Sequence, residues 1–256
     1  NSRLSPRQLA EVLVSSGTGL LEIGVIVGIA GIIIGILNVT SLGFNLSLVM
    51  IQIGGESQLA LLLMAALLAV ILGMGMPTIS VYLLLAVLIG PALVKVGFNP
   101  LAAHMFLLYT GMLSMLSPPV AIASYTAASI AGANPMRTSW ISLRLGAMAF
   151  IAPFVFVYSP ELLLIGDPTA IIWRTLATFA GTIFFAIAAI GHLRAPVSFT
   201  FRVFLILTSL GAFVRPPGSA DGAIPWLTIA AVGIGVGITM WLWWTGPNRE
   251  TGVPEE

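Results

Sequence analysis

The chain has 256 residues, of which 58% are apolar and only 7% charged, with a formal net charge of +1 and no cysteine. Soluble domains carry about 25% charged residues, so this composition, with a mean hydropathy of +1.07, excludes an ordinary water-facing globular protein. Ten Lys and Arg spread along the chain form no basic stripe for nucleic acid, and the lack of cysteine removes disulfide scaffolds, thiol nucleophiles and Cys-bound zinc.

What remains is an all-α polytopic membrane protein. The chain opens at Asn1 without a basic stretch and short apolar run, which argues against a signal peptide and suggests a fragment, or one half of a longer chain. Ser5-Pro6-Arg7-Gln8 reads as a helix start, with Ser as cap and Pro at the first helical position. Leu9, Val12 and Leu13 form a narrow apolar stripe, so residues 1–19 are expected to be an interfacial amphipathic helix. A first crossing is expected from about Leu20 to Leu37. Leu42–Ile53 contains Asn45, Ser47 and Gln52; it is too short and polar to span and reads as an interfacial or re-entrant arm.

Residues 57–94 carry no charge. As one helix they would measure about 57 Å, nearly twice a bilayer core of about 30 Å. Their centre, Gly73-Met74-Gly75-Met76-Pro77-Thr78, cannot continue a regular helix, because Pro77 lacks a donor and clashes with the preceding turn. A re-entrant helical hairpin is therefore expected over about 57–94. Residues 96–136 are also free of charge. Here a helix from Pro100 to Leu116 is expected to break at Ser117-Pro118-Pro119 and resume over Val120–Ala131, giving one interrupted crossing over about 100–131. Gly132-Ala133-Asn134-Pro135 reads as a turn. Crossings near 140–158, 170–191, 199–214 and 224–244 follow, and the chain closes on a polar tail. With the hairpin counted as no net crossing, one side receives Arg3, Arg7, Arg137, Arg144, Arg194, Arg202 and Arg249. The other receives Lys95, Arg174 and Arg215 with Glu161 and Asp167, so the first side is expected to be cytoplasmic.

Non-helical backbone at membrane depth is tolerated only inside protein or along a cavity. Broken helices leave carbonyl oxygens at one stub and amide hydrogens at the other. The carbonyls, with the Thr78 and Ser117 hydroxyls, can replace the hydration shell of a small hard cation, and the amide ends favour an anion. No carboxylate lies between Ser57 and Pro160, which suits sodium better than a proton. On pattern alone, a transport site and a pair of proline-kinked structural helices both stay open.

The string Leu72–Thr78, with Pro91-Ala92-Leu93, Ala102–Phe106, Tyr109, Ser114, Ser117–Ala121 and Ile130-Ala131-Gly132, resembles the large membrane (permease) subunit of TRAP transporters, the tripartite ATP-independent periplasmic systems, and is closest to the fused permeases of the TAXI branch. Upstream Ala30–Gly35 and Thr40–Gly43, and downstream Arg144-Leu145-Gly146 and Pro153–Tyr158, fit the same pattern. The resemblance covers about residues 20–165 and is loose beyond 170. It implies an elevator-type secondary transporter of which this chain carries the second repeat, over residues 20–165, followed by C-terminal transmembrane helices and a polar tail over 166–256.

By motif position, the resemblance implies sodium binding at the hairpin tip (Gly73, Gly75, Met76, Thr78) and at the unwound loop (Ser117, Pro118, Val120). It implies substrate contacts at Met74, Pro77, Thr78, Ser114, Ser117 and Pro119. The implied cargo is a small organic anion, a carboxylate, brought by a periplasmic binding protein, with sodium or else protons as coupling ion, and with no cofactor or transition metal. The implied setting is the bacterial inner membrane, with a small membrane subunit, fused N-terminally or separate. Ser117 stands where the family often has Thr and keeps the hydroxyl, whereas Ile79 and Ser80 stand where Thr and Ala are commoner.

Two readings work without a binding protein or without transport: a related carboxylate transporter and a structural membrane subunit. An intramembrane enzyme finds no support, because no His-Glu-x-x-His, Gly-x-Ser-x-Gly or paired aspartates occur. His104 is expected to donate to a carbonyl, with a proton relay as the alternative, and Glu22 to sit at the interface, with a functional intramembrane carboxylate as the alternative. Arg144 is expected to snorkel to headgroups and Pro153 to kink its helix. Trp226, Trp241, Trp243 and Trp244 are read as interfacial anchors, and Gly233, Gly235 and Gly237 as close-packing positions.

Overall fold

The computed structural model describes residues 5–54, 57–213 and 226–245; among them there are twelve α-helices, one 3₁₀ turn and no strand. Two helices, Pro168–Ile190 and Trp226–Thr245, are each long and apolar enough to cross a membrane. Two bent pairs qualify jointly: Val27–Leu37 with Leu42–Gly54, bent by 68°, and Pro135–Leu145 with Ala147–Tyr158, bent by 41°. The protein is all-α and built for a membrane.

The first helix, α1 (Pro6–Val39), is continuous, where the sequence suggested an interfacial helix ending at residue 19. Ser5 and Gln8 cap it reciprocally: the Gln8 amide donates to Ser5 Oγ at 3.3 Å and the Ser5 amide to Gln8 Oε1 at 2.9 Å. Beyond Pro6 it contains no proline, and glycine at Gly17 or Gly19 costs about 1 kcal/mol without breaking a helix. The Glu22 side chain lies outside the described residues, as do Arg3, Arg215, Arg249 and the tail after Thr245.

Helix α2 (Leu42–Gly54) follows a turn at Ser41, whose φ is +54°. It lies across the base of the next two helices, α3 (Gln58–Gly73) and α4 (Thr78–Leu88). Near its start, Gly43 faces the backbone of Val87 and Leu88, and the Ser47 hydroxyl donates to Leu88 O at 3.3 Å. At its end, Gly54 faces Leu61 and Met64. Gly43 and Gly54 are about 17 Å apart along a helix. The start of α3 and the end of α4 are therefore within about 17 Å of each other, whereas laid end to end the two helices would span about 40 Å. The chain reverses between them, at residues 74–77. The second arm is itself interrupted at Ile89, and α5 (Gly90–Lys95) resumes with Pro91 in its first turn.

Helix α6 (Pro100–Leu113), capped by the Asn99 side chain on the amides of Leu101 and Ala102, packs between both arms. Leu62, Ala65 and Ala69 of α3, Val81 and Leu85 of α4, and Phe106 and Leu107 of α6 are buried in one core. Alanine at 65 and 69, one helical turn apart, lets the neighbouring helices approach closely. The helix ends at Leu113, not at Leu116 as expected, and α7 starts at Ile122, not at Val120. Pro118 and Pro119 have no amide to donate to Ser114 O and Met115 O, and each disfavours helix in the residue before it. The distortion thus runs upstream, with Met115 and Leu116 bonded three residues back to Met112 O and Leu113 O, and Met115 O bonded by the Ala123 amide.

Helices α7 (Ile122–Ala131), α8 (Pro135–Leu145) and α9 (Ala147–Tyr158) complete this part. The bend falls at Gly146, not at Pro153, which lies buried inside α9. After a 3₁₀ turn at Pro160–Leu163, α10 (Pro168–Ile190), α11 (Phe199–Phe213) and α12 (Trp226–Thr245) form a bundle with its own core around Phe184, Ile187 and Leu205. Of the three glycines on α12, only Gly235 carries the packing: a Cβ there would sit 2.2 Å from the Phe184 ring, while Gly233 and Gly237 face open space. Glu161 and Arg174, assigned above to the side opposite the cytoplasmic one, are both buried and both have partners.

Candidate functional site

The reversal between α3 and α4 is built by four residues with distinct backbone tasks. Met74 leaves the helix at φ −63°, ψ 117° and its amide donates to Ile71 O. Gly75 sits at φ +80° in open space, a left-handed conformation that glycine adopts without strain. The Met76 amide turns back to Gly73 O at 3.3 Å. Pro77, at φ −60°, ψ 148°, opens α4 with no side chain capping the first amides. The positive end of the α4 dipole is therefore available at the tip.

This tip touches the second helix break directly. The Ser114 hydroxyl lies 2.8 Å from Gly73 O and 2.8 Å from Gly111 O. A hydroxyl has one proton, so it can donate to only one of these carbonyls at a time. Ser114 is buried and Gly73 is buried against it; a Cβ on Gly73 would stand 2.8 Å from Gly111 O and 2.9 Å from Ser114 Oγ. Nearby, Thr78 Oγ1 approaches Met115 Sδ at 3.9 Å. Gly73, Thr78 and Ser114 are thus brought together, with Gly111 and Met115 as members that the sequence reading missed. Gly111 stands one turn before Ser114 and is glycine for the same reason as Gly73: a Cβ would meet Leu85 Cδ1 at 3.1 Å and Val81 at 3.3 Å.

The unwound loop is arranged differently. The Ser117 hydroxyl donates to Leu113 O at 2.9 Å within its own segment, and the Pro118–Pro119 peptide is cis. Ala121, at φ +34°, starts α7 without a side-chain cap. Pro119 O accepts from the Tyr125 hydroxyl at 2.9 Å. Among the described residues, no hydrogen bond reaches the carbonyls of Pro118 and Val120. Met76 and Pro77 face the other way, lining with Ser80, Leu84 and α1 isoleucines an apolar groove of about 210 Å³.

Two polar residues have partners other than those expected. His104 Nδ1 pairs with the Tyr82 hydroxyl at 3.1 Å, tying α6 to the second hairpin arm, and makes no carbonyl contact there. Arg144 donates to Ala189 O at 3.0 Å and Ile190 O at 2.9 Å, holding the end of α10 rather than extending to headgroups. Among the described residues, no group of three or more His, Cys, Asp or Glu could hold a metal ion.

Comparison with known families finds one whose model, described as the tripartite ATP-independent periplasmic transporter DctM component, matches residues 1–171. Comparison with curated proteins and with solved structures found no match. The matched range takes in both helix breaks and ends just inside α10.

Proposed function

Because the chain belongs to the DctM family of tripartite ATP-independent periplasmic transporters, over 171 of its 256 residues, we propose that it is the permease subunit of a sodium-driven importer of small organic anions. In this reading a periplasmic binding protein delivers a carboxylate at the bacterial inner membrane, and a small membrane subunit completes the system. The observation that supports sodium coupling most is the oxygen cluster of Gly73 O, Gly111 O and Ser114 Oγ. It holds more acceptors than protons, at the carbonyl end of a broken helix, where such transporters coordinate a monovalent cation. The Pro118 and Val120 carbonyls add neutral oxygens in the adjoining loop. The uncapped start of α4 beside them favours the substrate carboxylate. No carboxylate lies between residues 57 and 160, which leaves this region without an acidic side chain of the Asp or Glu kind to carry protons.

Proteoliposome uptake of short carboxylates, with the binding protein added, tests the reading. Uptake is expected to require a sodium gradient and the binding protein together. It is expected to fall about tenfold or more in Ser114→Ala, since a hydrogen bond or ligand to a charged group contributes about 1.5–3 kcal/mol. Uptake driven by a proton gradient alone would remove sodium from the account, and uptake without the binding protein would favour a two-component transporter.

A further inference from the structure

One end of the α10–α12 bundle gathers positive charge that the transport reading does not use. Arg144 donates to the carbonyls of Ala189 and Ile190, and Arg202 Nε donates to Ala188 O at 2.7 Å. Two full charges thus face a helix C-terminus equivalent to about half a negative charge. Arg194 adds a third, stacked 3.9 Å over the Trp243 ring, and His192 stands in the same turn. No Asp or Glu occurs in residues 168–213 or 226–245, so the bundle supplies no carboxylate to neutralise them.

Beside these cations lies a groove of about 230 Å³. Phe201, Trp241 and Leu242 give it an apolar wall, and Ser198 and Thr245 give it hydroxyls. It sits where both long spanning helices, α10 and α12, have the same end. Trp241, Trp243 and Trp244 are 52%, 49% and 89% exposed there, and exposed tryptophan at a span's end marks headgroup depth. An occupant at that depth has to be amphipathic, and the neighbouring cations favour an anionic headgroup.

We propose that this groove binds an anionic phospholipid, with its phosphate at Arg194 and an acyl chain along Phe201, Trp241 and Leu242. The proposal needs only that the bundle spans a membrane, and its test uses neither sodium coupling nor substrate, so it stands or falls apart from the importer reading. Basic pockets between transmembrane helices hold lipid headgroups by the same physics.

The full chain in neutral detergent would be titrated with phosphatidylglycerol or phosphatidylcholine carrying brominated chains, which quench nearby tryptophan. Phosphatidylglycerol should quench saturably, at a concentration about fivefold or more below that of phosphatidylcholine, the factor expected of one arginine near a membrane surface. Arg194→Gln should bring the two lipids within about twofold of each other. Arg137→Gln, on the exposed face of α8, should leave the preference intact. In the unsubstituted chain, raising potassium chloride to about 0.5 M should erase the preference by screening. Equal quenching by the two lipids would overturn the proposal. So would an unchanged preference in Arg194→Gln, or an equal loss in Arg137→Gln, which would reveal diffuse surface charge instead of a site.

Discussion

Replacing Gly73 by alanine acts on the contact that holds the two helix breaks together. The new Cβ would stand 2.8 Å from Gly111 O, 2.9 Å from Ser114 Oγ and 3.1 Å from Val81 Cγ2. Gly111 belongs to α6, Ser114 caps its end and Val81 belongs to α4, and the nearest is a backbone atom, so no side-chain rotation relieves the clash. Ordinary van der Waals contact begins near 3.4 Å, so the tip and α6 must part by about 0.6 Å. The Ser114 Oγ–Gly73 O hydrogen bond, 2.8 Å long, then stretches towards 3.4 Å, beyond useful range. Overpacking of this kind costs about 1–3 kcal/mol, to which the lost bond adds about 1 kcal/mol. Thermal unfolding of the purified chain should therefore begin at a clearly lower temperature, and any stabilisation by sodium should vanish with it. Gly75→Ala serves as contrast. Its Cβ meets nothing within 4 Å, so its cost is the left-handed backbone alone, about 1–2 kcal/mol, with α6 undisturbed. A Gly73→Ala chain with unchanged unfolding and an unchanged sodium response would refute the packing argument.

The same arithmetic extends to the rest of the molecule. Gly235→Ala would place a Cβ 2.2 Å from the ring of Phe184, itself only 3% exposed; limited proteolysis should show the α10–α12 bundle loosened by about 1–3 kcal/mol while the α3–α6 core stays protected. Arg144→Gln removes two hydrogen bonds to the end of α10. Because the contact is exposed, about 1 kcal/mol is expected, read as faster amide exchange over residues 186–191. Asp167 caps α10 through the Thr169 amide and hydroxyl, and these bonds hold its carboxyl below its ordinary value of 3.8. Its contribution is accordingly complete above that value and is lost only as pH falls through the lower folded one. Exchange at the Thr169 amide should stay slow at mildly acidic pH and accelerate in stronger acid; acceleration already near neutrality would contradict this.

Much of the architecture was legible because proline, glycine and segment length act locally. Thirty-eight charge-free residues around Gly73–Pro77 cannot fit a bilayer as one rod, and the chain does reverse at 74–77. The Ser-x-x-Gln start at Ser5 is a local device too, and both halves of that cap form. The end of α6 lies three residues before the point the Ser-Pro-Pro motif suggests, because Pro118 and Pro119 act on residues before them, through amides they lack and carbonyls they leave behind. Residues 1–19 were separated from the first crossing on a polarity change, but polarity without a breaker does not end a helix. The partners of His104 and Arg144 were not legible: Tyr82 lies 22 residues away and Ala189 45 residues away, and only tertiary packing brings them near. The pairing of Gly73 with Gly111 left one faint signal, a second glycine one turn before Ser114.

Sodium coupling at the joined helix breaks would show as a shift in the thermal midpoint of the full chain in detergent across a sodium series, with choline holding ionic strength constant. A ligand that binds only the folded state stabilises it by RT ln(1 + [L]/Kd), about 1–3 kcal/mol well above Kd. A sodium-specific rise is expected, lost in Ser114→Ala and reduced in Thr78→Ala and Ser117→Ala. A midpoint that responds equally to sodium and choline, or a full sodium response in Ser114→Ala, would contradict it.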